Sequence, residues 1–135
     1  MGSEEAEVCR RFVAAINHHD LPGLASILAA GHRFIDSLGV QLSGRDAVLT
    51  AWRGYFELVP GYAIEVDREI VVEPEVIVFG TASGDLARRG KVVPDSGWST
   101  PICARMRIER GAVAEWQVSA DNEPLRALLR QAAAG

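Results

Sequence analysis

Cysteine is scarce in this chain of 135 residues, which contains only two. Cys9 and Cys103 show neither the Cys-x-x-Cys spacing of a metal or redox motif nor a companion cluster of histidines. This shortage disfavours a disulfide framework and a structural zinc site, since both need several such residues at short spacing. Two buried free thiols are expected instead.

Histidine is almost as rare, with three in the chain. His18 and His19 stand beside Asp20 at the end of a predicted helix, where adjacent side chains rarely converge on one ion. A solvated turn is expected there, and His32 is expected in a loop. Glycine motifs that cradle phosphate are absent as well, so the sequence predicts neither a metal nor a cofactor.

Positive charge and long apolar runs are also missing. The formal net charge is −4, and the one basic cluster lies in the loop Arg88-Arg89-Gly90-Lys91, so nucleic-acid binding is disfavoured. The sequence contains no run of about eighteen apolar residues, so no membrane span is predicted. The acidic start lacks the features of a secretory signal, which predicts a cytoplasmic protein. The length favours a single domain over residues 1–135.

Helical spacing dominates the first sixty residues. The first helix is predicted from Glu4 to about His18, with Ser3 as its cap. A short second helix is predicted after the cap Asp20, with Gly31 ending it. A short strand is predicted over Phe34 to Leu38. A third helix is predicted to open at Ser43, with Asp46 at the capping-box position, and Pro60-Gly61 ends it. Its buried stripe reads Val48, Trp52, Tyr55 or Phe56, and Val59.

Period-two alternation replaces the helical pattern after residue 61. Three segments alternate and one is apolar on both faces, which predicts four long strands joined by hairpins, one of them central. The inward residues of the first segment are predicted as Tyr62, Ile64, Val66, Ile70 and Val72. Those of the third are Trp98, Thr100, Ile102, Ala104, Met106 and Ile108, and those of the last are Ala114, Trp116, Val118 and Ala120. A short terminal helix with Leu125, Leu128 and Leu129 follows. The layout is α+β, with helices on one face of a curved antiparallel sheet.

Three groups of segments resemble the nuclear transport factor 2-like superfamily, in particular its SnoaL-like and ketosteroid isomerase-like branches. They are Arg11 to Asn17 with Asp20, Phe34 to Gly39 with Ser43-Gly44, and Glu115-Trp116 leading to Ala120 through Leu125. The resemblance implies one SnoaL-like domain of cystatin-like, cone-shaped fold. In that fold a curved antiparallel sheet packs on three N-terminal helices and a short C-terminal helix follows. It also implies an apolar pocket and a homodimer formed through the sheet.

Asp36 is the main candidate catalytic residue. The segment Ile35 to Gly39 is similar to the piece of ketosteroid isomerase that carries its aspartate base, and Asp36 occupies that position. A carboxylate at an apolar cavity wall is a candidate general base. The alternative is that Asp36 caps the turn Ser37-Leu38-Gly39 through an Asx-type hydrogen bond. That isomerase uses an Asp base with a Tyr and a protonated Asp as oxyanion donors.

The donor positions of the isomerase are not preserved. Phe12 stands where the family has the Tyr, and Cys103 or Ala104 where it has the protonated Asp. Phe and Ala have no donor and a thiol is a weak one. Since loss of one oxyanion donor commonly costs about a hundredfold or more in rate, steroid isomerisation by that route is disfavoured.

Asp121 is the second candidate. It matches an acid/base aspartate of SnoaL-type polyketide cyclases, whose partner histidine on the adjoining strand is missing here. Strict alternation places Asp121 with Glu115 and Gln117, away from Trp116 and Val118, unless a strand-end bulge redirects it. The favoured alternative is a cap for the terminal helix.

Arginine offers a weaker hypothesis. Limonene-epoxide-hydrolase-like relatives use an Asp-Arg-Asp trio, and Arg105-Met106-Arg107 supplies no such Asp. Arg68 interrupts a predicted apolar face between Val66 and Ile70, where it either extends to the rim or pairs with an acid inside.

The sequence therefore predicts a small hydrophobic ligand and isomerase- or cyclase-like acid/base chemistry with Asp36 as the base. Half of the candidate aromatic and apolar lining residues are expected to touch ligand and half to be core. The candidates are Phe12, Trp52, Phe56, Trp98, Met106 and Val118. A non-catalytic ligand-binding domain is one alternative. An assembly domain that works through a polar sheet surface, with Arg105, Arg107, Glu115 and Gln117, is another.

Overall fold

A computed structural model describes residues 3–134, which form four helices and eight strands. The helices are α1 (Glu4–Asn17), α2 (Leu21–Ile27), α3 (Arg45–Leu58) and α4 (Glu123–Ala134). Ser3 caps α1, because its hydroxyl accepts a hydrogen bond from the Ala6 amide at 3.0 Å, and Asp20 caps α2 through the Gly23 amide at 2.9 Å. Both predicted caps are confirmed.

Two helix boundaries differ from the prediction. Helix α2 ends at Ile27, and strand β1 (Leu28–Ile35) follows without a loop, so Gly31 lies inside a strand. Helix α3 has Gly44 as its N-cap, at φ +97°, and no side-chain capping bond. Ser43 belongs to the preceding strand instead. The predicted Ser43 cap was wrong because the chain needs a positive φ at this position, which glycine adopts without strain.

Six strands form one sheet in the order β2-β1-β8-β7-β4-β3. The remaining bounds are β2 (Gln41–Ser43), β3 (Ala63–Val72), β4 (Glu75–Gly84), β7 (Trp98–Glu109) and β8 (Ala112–Ala120). A separate small hairpin comprises β5 (Ala87–Arg88) and β6 (Lys91–Val92), in the segment predicted as a loop. The α+β fold class and the short C-terminal helix are confirmed.

One pairing departs from a purely antiparallel sheet, since β1 runs parallel to β8. Leu28 pairs with Val113 and Arg33 with Glu115, so residues 29–32 of β1 lie opposite Ala114 alone. The sequence did not show this pairing, because it predicts only a short strand from Phe34, after a helix that ends at Gly31, and gives that strand no partner. The parallel pair joins the first strand to the last and brings the end of β1 beside the end of β8.

A β-bulge reverses the faces of β3 at its middle. The register shifts between Val66 and Arg68, and a bulge of this kind turns every later side chain to the other face. Ile70 and Val72 are therefore 37% and 59% exposed, and Glu69 turns towards α1, where it binds Arg10 at 2.8 Å. The predicted inward positions of Ile70 and Val72 were wrong. Arg68 pairs with Phe79 on the outer face, so it takes neither of its two predicted places, at the cavity rim or paired with an inner acid.

Glycine at position 80 accommodates this bulge. A β-carbon there would collide with the carbonyl oxygen of Glu65 on the neighbouring strand. Because that atom belongs to the backbone, it cannot move aside as the end of a flexible side chain can. The close approach of β3 and β4 therefore requires glycine.

The core lies between the helices and the inner face of the sheet. In β7 the predicted alternation is confirmed over its whole length, with every second residue from Trp98 to Ile108 buried. Cys9 is a buried free thiol as predicted, whereas Cys103 is only half-buried because it lies on the other face of β7. Within residues 3–134, none of the helices combines the length and apolar character needed to cross a bilayer.

His32 lies in β1 and is fully buried, so the predicted loop position was wrong. Its Nδ1 lies 2.8 Å from the carbonyl oxygen of Val113, in the irregular part of the parallel pair. Donation to this carbonyl assigns the proton to Nδ1, and no partner within residues 3–134 reaches Nε2. Burial lowers the pKa of the imidazole below its ordinary value, although the Val113 carbonyl and the nearby Glu115 oppose the shift.

We expect stability to fall in mild acid because of His32. Its folded-state pKa lies below the unfolded value, so the contribution of the neutral ring is complete above about pH 6.5 and is lost as the pH falls below that value. The loss reaches at most about 1.4 kcal/mol per pH unit. Urea unfolding at pH 7.5 and pH 5.0 measures it, with His32→Asn as the control because its amide can still donate to Val113. An equal loss in both proteins would contradict this assignment.

Candidate functional site

A cavity of about 330 Å³ opens where β1 and β8 end and β7 begins. This volume lies at the lower end of the range of roughly 300–1,000 Å³ typical of small-molecule sites. Helix α3 covers it, and the inner face of the sheet forms its floor. The residues that line it are Phe34, Asp36, Ser37, Val48, Ala51, Trp52, Tyr55, Tyr62, Ala82, Trp98, Thr100, Ile102, Trp116, Val118, Ala120 and Asn122.

Four aromatic rings form one contiguous wall of this cavity. Trp52 and Tyr55 lie three residues apart on α3, on the same face of the helix, and their ring centroids are 6.1 Å apart. Tyr62 lies 4.9 Å from Tyr55 and 6.1 Å from Trp98. The wall is apolar except for one donor on each ring, which favours a flat hydrophobic ligand.

The two phenols of this wall are neutral at physiological pH. Burial raises the pKa of Tyr55 to about 12. It raises the pKa of Tyr62 further, with a second contribution from the nearby Tyr55. Both hydroxyls therefore stay protonated and can donate hydrogen bonds.

The two indole groups of the wall keep their N–H donors unpaired. Nε1 of Trp52 and Nε1 of Trp98 are buried, and no acceptor in the described part of the chain reaches them. Leaving a buried donor unpaired costs about 1–3 kcal/mol. The wall therefore has donor capacity that its own side chains do not use.

Asp36 also lines the cavity, directly after β1, and is half-buried. Its Oδ1 accepts hydrogen bonds from the amides of Leu38 at 2.9 Å and Val40 at 3.0 Å. Gly39 completes this turn at φ +81°, where glycine is favoured. The turn fixes the carboxylate through Oδ1, and no hydrogen bond within residues 3–134 engages Oδ2.

The two interpretations of Asp36 are thus compatible in geometry. The Asx-type turn is formed as the alternative predicted, and the same carboxylate lines the cavity. A turn that uses one oxygen leaves the other available to a ligand.

A short polar strip continues from Asp36 along the cavity. The side-chain amide of Asn122 donates from Nδ2 to Oγ of Ser37 at 2.8 Å. The hydroxyl of Thr100 donates to the carbonyl oxygen of Asp121 at 2.9 Å. The first contact joins the end of β1, and the second joins β7, to the segment between β8 and α4.

Three of the predicted lining residues line the cavity, and three do not. Trp52, Trp98 and Val118 are in the lining. Phe12 and Met106 are fully buried in the core outside it. Phe56 stacks on His19, with ring centroids 4.1 Å apart. The placement of Phe12 follows from α1, whose inward side chains pack against β3, β4 and β7.

Several lining residues were not singled out from the sequence. Tyr55 was offered only as an alternative to Phe56 in the stripe of α3, and Tyr62 only as the first residue of an alternating strand. Ser37 and Asn122 gave no signal, because their contact joins residues that are 85 positions apart. That contact depends on the parallel pairing of β1 with β8.

Asp121 is exposed and lies outside the cavity lining. Its Oδ1 accepts a hydrogen bond from the Glu123 amide at 3.0 Å, at the start of α4. Asn122 is the N-cap of α4, because its carbonyl oxygen accepts from the Arg126 amide at 2.9 Å. Asp121 therefore satisfies the first amide of the helix from the residue before the cap, and it is not itself the predicted cap. We assign Asp121 no role in the cavity.

The arginines considered from the sequence lie on the outer face of the sheet. Arg105 binds Glu115 at 2.9 Å and Glu75 at 3.5 Å. Arg33 also binds Glu115, whose side chain is 5% exposed. Within residues 3–134, histidine, cysteine, aspartate and glutamate form no cluster of three or more that would hold a metal ion.

Comparison with known protein families identifies the family of this chain. Residues 9–116 match the sequence profile of the SnoaL-like domain, which is most of the chain. The chain belongs to the SnoaL-like domain family. No protein among curated sequences matches it.

Solved structures share the SnoaL-like fold at low sequence identity. A proposed SnoaL-like polyketide cyclase from Shewanella putrefaciens is 14% identical, with a TM-score of 0.82 over 97% of this chain and 99% of that one. A protein of M. tuberculosis that is described as an LEH-like epoxide hydrolase is 16% identical, with a TM-score of 0.77 over 94% of this chain and 90% of that one. A protein of unknown function from Burkholderia pseudomallei, described as like nuclear transport factor 2, is 20% identical, with 0.79 over 94% and 98%. At these identities the likeness concerns the fold.

Proposed function

We propose that the cavity of this SnoaL-like domain binds a small, largely hydrophobic carbonyl compound and that Asp36 accepts a proton from it. The observation that carries the proposal is the geometry of Asp36. Its Oδ1 is held by two backbone amides, while Oδ2 has no hydrogen-bond partner among residues 3–134 and Asp36 lines an aromatic cavity. A base held in this way needs no reorganisation before it meets the substrate.

The reaction begins with proton transfer. Oδ2 of Asp36 takes a proton from a carbon next to the carbonyl group. The electron pair of that C–H bond forms a C=C bond, and the carbonyl π pair moves to oxygen as an enolate. In a β,γ-unsaturated ketone, return of the proton from Asp36 to the γ-carbon gives the conjugated isomer. In a compound with a second carbonyl group, attack of the enolate carbon closes a ring, and the alkoxide oxygen formed from that carbonyl takes the proton from Asp36. Either step balances without an oxidant or a reductant.

The names of the fold relatives describe more than one reaction and do not choose between them. One relative is described as a polyketide cyclase and another as an epoxide hydrolase. The hydrolase-like route is disfavoured here, because Arg105-Met106-Arg107 lacks the neighbouring Asp of the trio and Arg105 and Arg107 both bind glutamates outside the cavity. Isomerase- or cyclase-like chemistry therefore remains the better fit to the residues.

Binding is testable without knowing the natural ligand. All three tryptophans of the chain, Trp52, Trp98 and Trp116, line the cavity, so their fluorescence reports occupancy. We expect saturable quenching or a spectral shift on titration with 2-tetralone, a bicyclic ketone. A linear response up to the solubility limit would contradict binding in the cavity.

Turnover is tested with the same probe. In D₂O, we expect the protein to accelerate exchange of the protons next to the ketone of 2-tetralone, followed by NMR. Binding without acceleration of exchange, and without turnover of a panel of epoxides and polyketide-like esters, would support the non-catalytic alternative, a ligand-binding domain.

We further propose that the chain forms a homodimer through the outer face of its sheet. This face carries three exposed apolar residues, Ile70, Val72 and Phe79, the last 44% exposed. Beside them, Arg105 and Glu115 are already paired within the chain. Exposed apolar side chains grouped on one sheet face are typical of a protein contact.

The dimer hypothesis predicts that Phe79→Glu dissociates the protein, because each copy would place a charge in an apolar contact. Sedimentation velocity at several concentrations measures the change. Val92→Glu is the matched control, since Val92 is 54% exposed on the separate hairpin. A monomeric wild type, or equal dissociation by both variants, would contradict the proposed interface.

A further inference from the structure

An enolate oxygen needs hydrogen-bond donors to stabilise its charge. The positions that supply these donors in ketosteroid isomerase are occupied here by Phe12 and by Cys103 or Ala104, which do not supply them. Phe12 is buried against Trp116, with ring centroids 4.8 Å apart. Cys103 lies on the outer face of β7, and Ala104 has no donor. Proton removal by Asp36 therefore needs a donor from elsewhere in the cavity.

Ser37 is the nearest residue in sequence to Asp36 that has a hydroxyl, and both side chains line the cavity. Oγ of Ser37 accepts a hydrogen bond from Nδ2 of Asn122 at 2.8 Å. A hydroxyl that accepts through a lone pair keeps its proton free to donate. Among residues 3–134, no acceptor takes this proton.

The contact with Asn122 also gives the hydroxyl a direction. Asn122 begins the segment that leads into α4, and its backbone oxygen accepts from the Arg126 amide at 2.9 Å, so the helix holds its position. Donation from the Asn122 amide polarises the Ser37 hydroxyl and strengthens its own donation, since hydrogen bonds in a chain reinforce each other.

We infer that the Ser37 hydroxyl, positioned by Asn122, donates a hydrogen bond to the ligand oxygen while Asp36 Oδ2 removes the neighbouring proton. Ser37 is then a catalytic residue and Asn122 a positioning residue. This inference deepens the proposed function and rests on it for the enolate. The inference also predicts an effect on binding, because the carbonyl oxygen of the bound ketone accepts a hydrogen bond from the Ser37 hydroxyl before any proton is removed.

The proton and electron movements are complete with these residues. For 2-tetralone, the C1 proton goes to Asp36 Oδ2, the C–H pair forms the C1=C2 bond, and the carbonyl π pair moves to the oxygen that Ser37 faces. In D₂O the carboxyl proton exchanges with solvent. Return of a deuteron to C1 then restores the ketone and the carboxylate.

Three variants test the inference through the rate of this exchange. Ser37→Ala removes the donor and is expected to lower the rate about a hundredfold. Ser37→Thr keeps the hydroxyl and is expected to retain most of the rate. Asn122→Asp replaces the N–H donor by an acceptor, so the Ser37 proton turns towards residue 122. A large loss is expected without loss of stability, because Asp is favoured at a helix N-terminus.

A second readout separates failure of this inference from failure of the proposed function. Tetralin has the same ring system as 2-tetralone but no oxygen. By tryptophan fluorescence, we expect wild type to prefer the ketone, and Ser37→Ala to lose that preference while Ser37→Thr keeps it. This pattern supports the donor even if no variant catalyses exchange. If Ser37→Ala keeps both the ketone preference and the exchange rate while Asp36→Asn loses exchange, the inference is overturned and the base stands.

Discussion

Asp36→Asn is expected to lower the rate of 2-tetralone proton exchange by about 10²–10⁴, the range typical of a lost general base. The amide oxygen of Asn can still accept from the Leu38 and Val40 amides that now bind Oδ1. Asn is also tolerated in turns of this kind. The variant therefore removes the basic oxygen and preserves the turn. NMR exchange rates at equal protein concentration measure the effect.

Asp121→Asn is the matched control for this change. It makes the same substitution at the other aspartate considered from the sequence, which is exposed and binds the Glu123 amide outside the cavity. We expect its exchange rate to equal that of the wild type and both variants to keep the wild-type melting temperature. A loss of exchange in Asp121→Asn with none in Asp36→Asn would reverse the two assignments.

Phe12→Ala is expected to reduce the free energy of unfolding by about 3–5 kcal/mol, as large-to-small substitutions of buried aromatics do. Phe12 is fully buried and packs on Trp116 at a centroid distance of 4.8 Å. The substitution leaves a void between α1 and the sheet. Urea unfolding followed by circular dichroism measures the loss.

Phe12→Leu is the companion variant, since it keeps most of the buried volume. We expect it to lose far less stability and to bind 2-tetralone like the wild type. If Phe12→Leu instead weakened binding without affecting stability, Phe12 would belong to the ligand site, as one of the two sequence interpretations had it.

The parts of the fold that follow from local chemistry were predictable. Ser3 and Asp20 cap their helices because short polar side chains satisfy free amides at helix starts. The alternation along β7 predicted its buried face correctly over twelve residues. Each of these features depends on residues only a few positions apart.

The parts that depend on pairing between distant segments were not predictable. A single bulged residue in β3 turned Ile70 and Val72 outwards. Its one sign in the sequence was Arg68, which interrupts the alternating apolar face but does not by itself distinguish a bulge from a charge inside the cavity. The parallel pairing of β1 with β8 placed His32 in the interior, although the sequence predicted a loop there.

The candidate site likewise has residues that could be predicted from local sequence and residues that could not. Asp36 was identified through a short local resemblance, and Trp52 and Trp98 through their positions on buried faces. Ser37 and Asn122 became neighbours only through the strand pairing, so their hydrogen bond could not be read from either segment. The aromatic wall likewise combines α3 with the beginnings of β3 and β7.

A crystal structure of the protein with 2-tetralone bound tests the account most directly. The account predicts that the ketone occupies the cavity between Trp52, Trp98 and Asp36. A carbon next to the carbonyl would lie within about 3.5 Å of Asp36 Oδ2, as a near-attack geometry requires, with the ketone oxygen facing Ser37. A ligand found only outside this cavity, or an Asp36 side chain turned into bulk solvent beside it, would contradict the account.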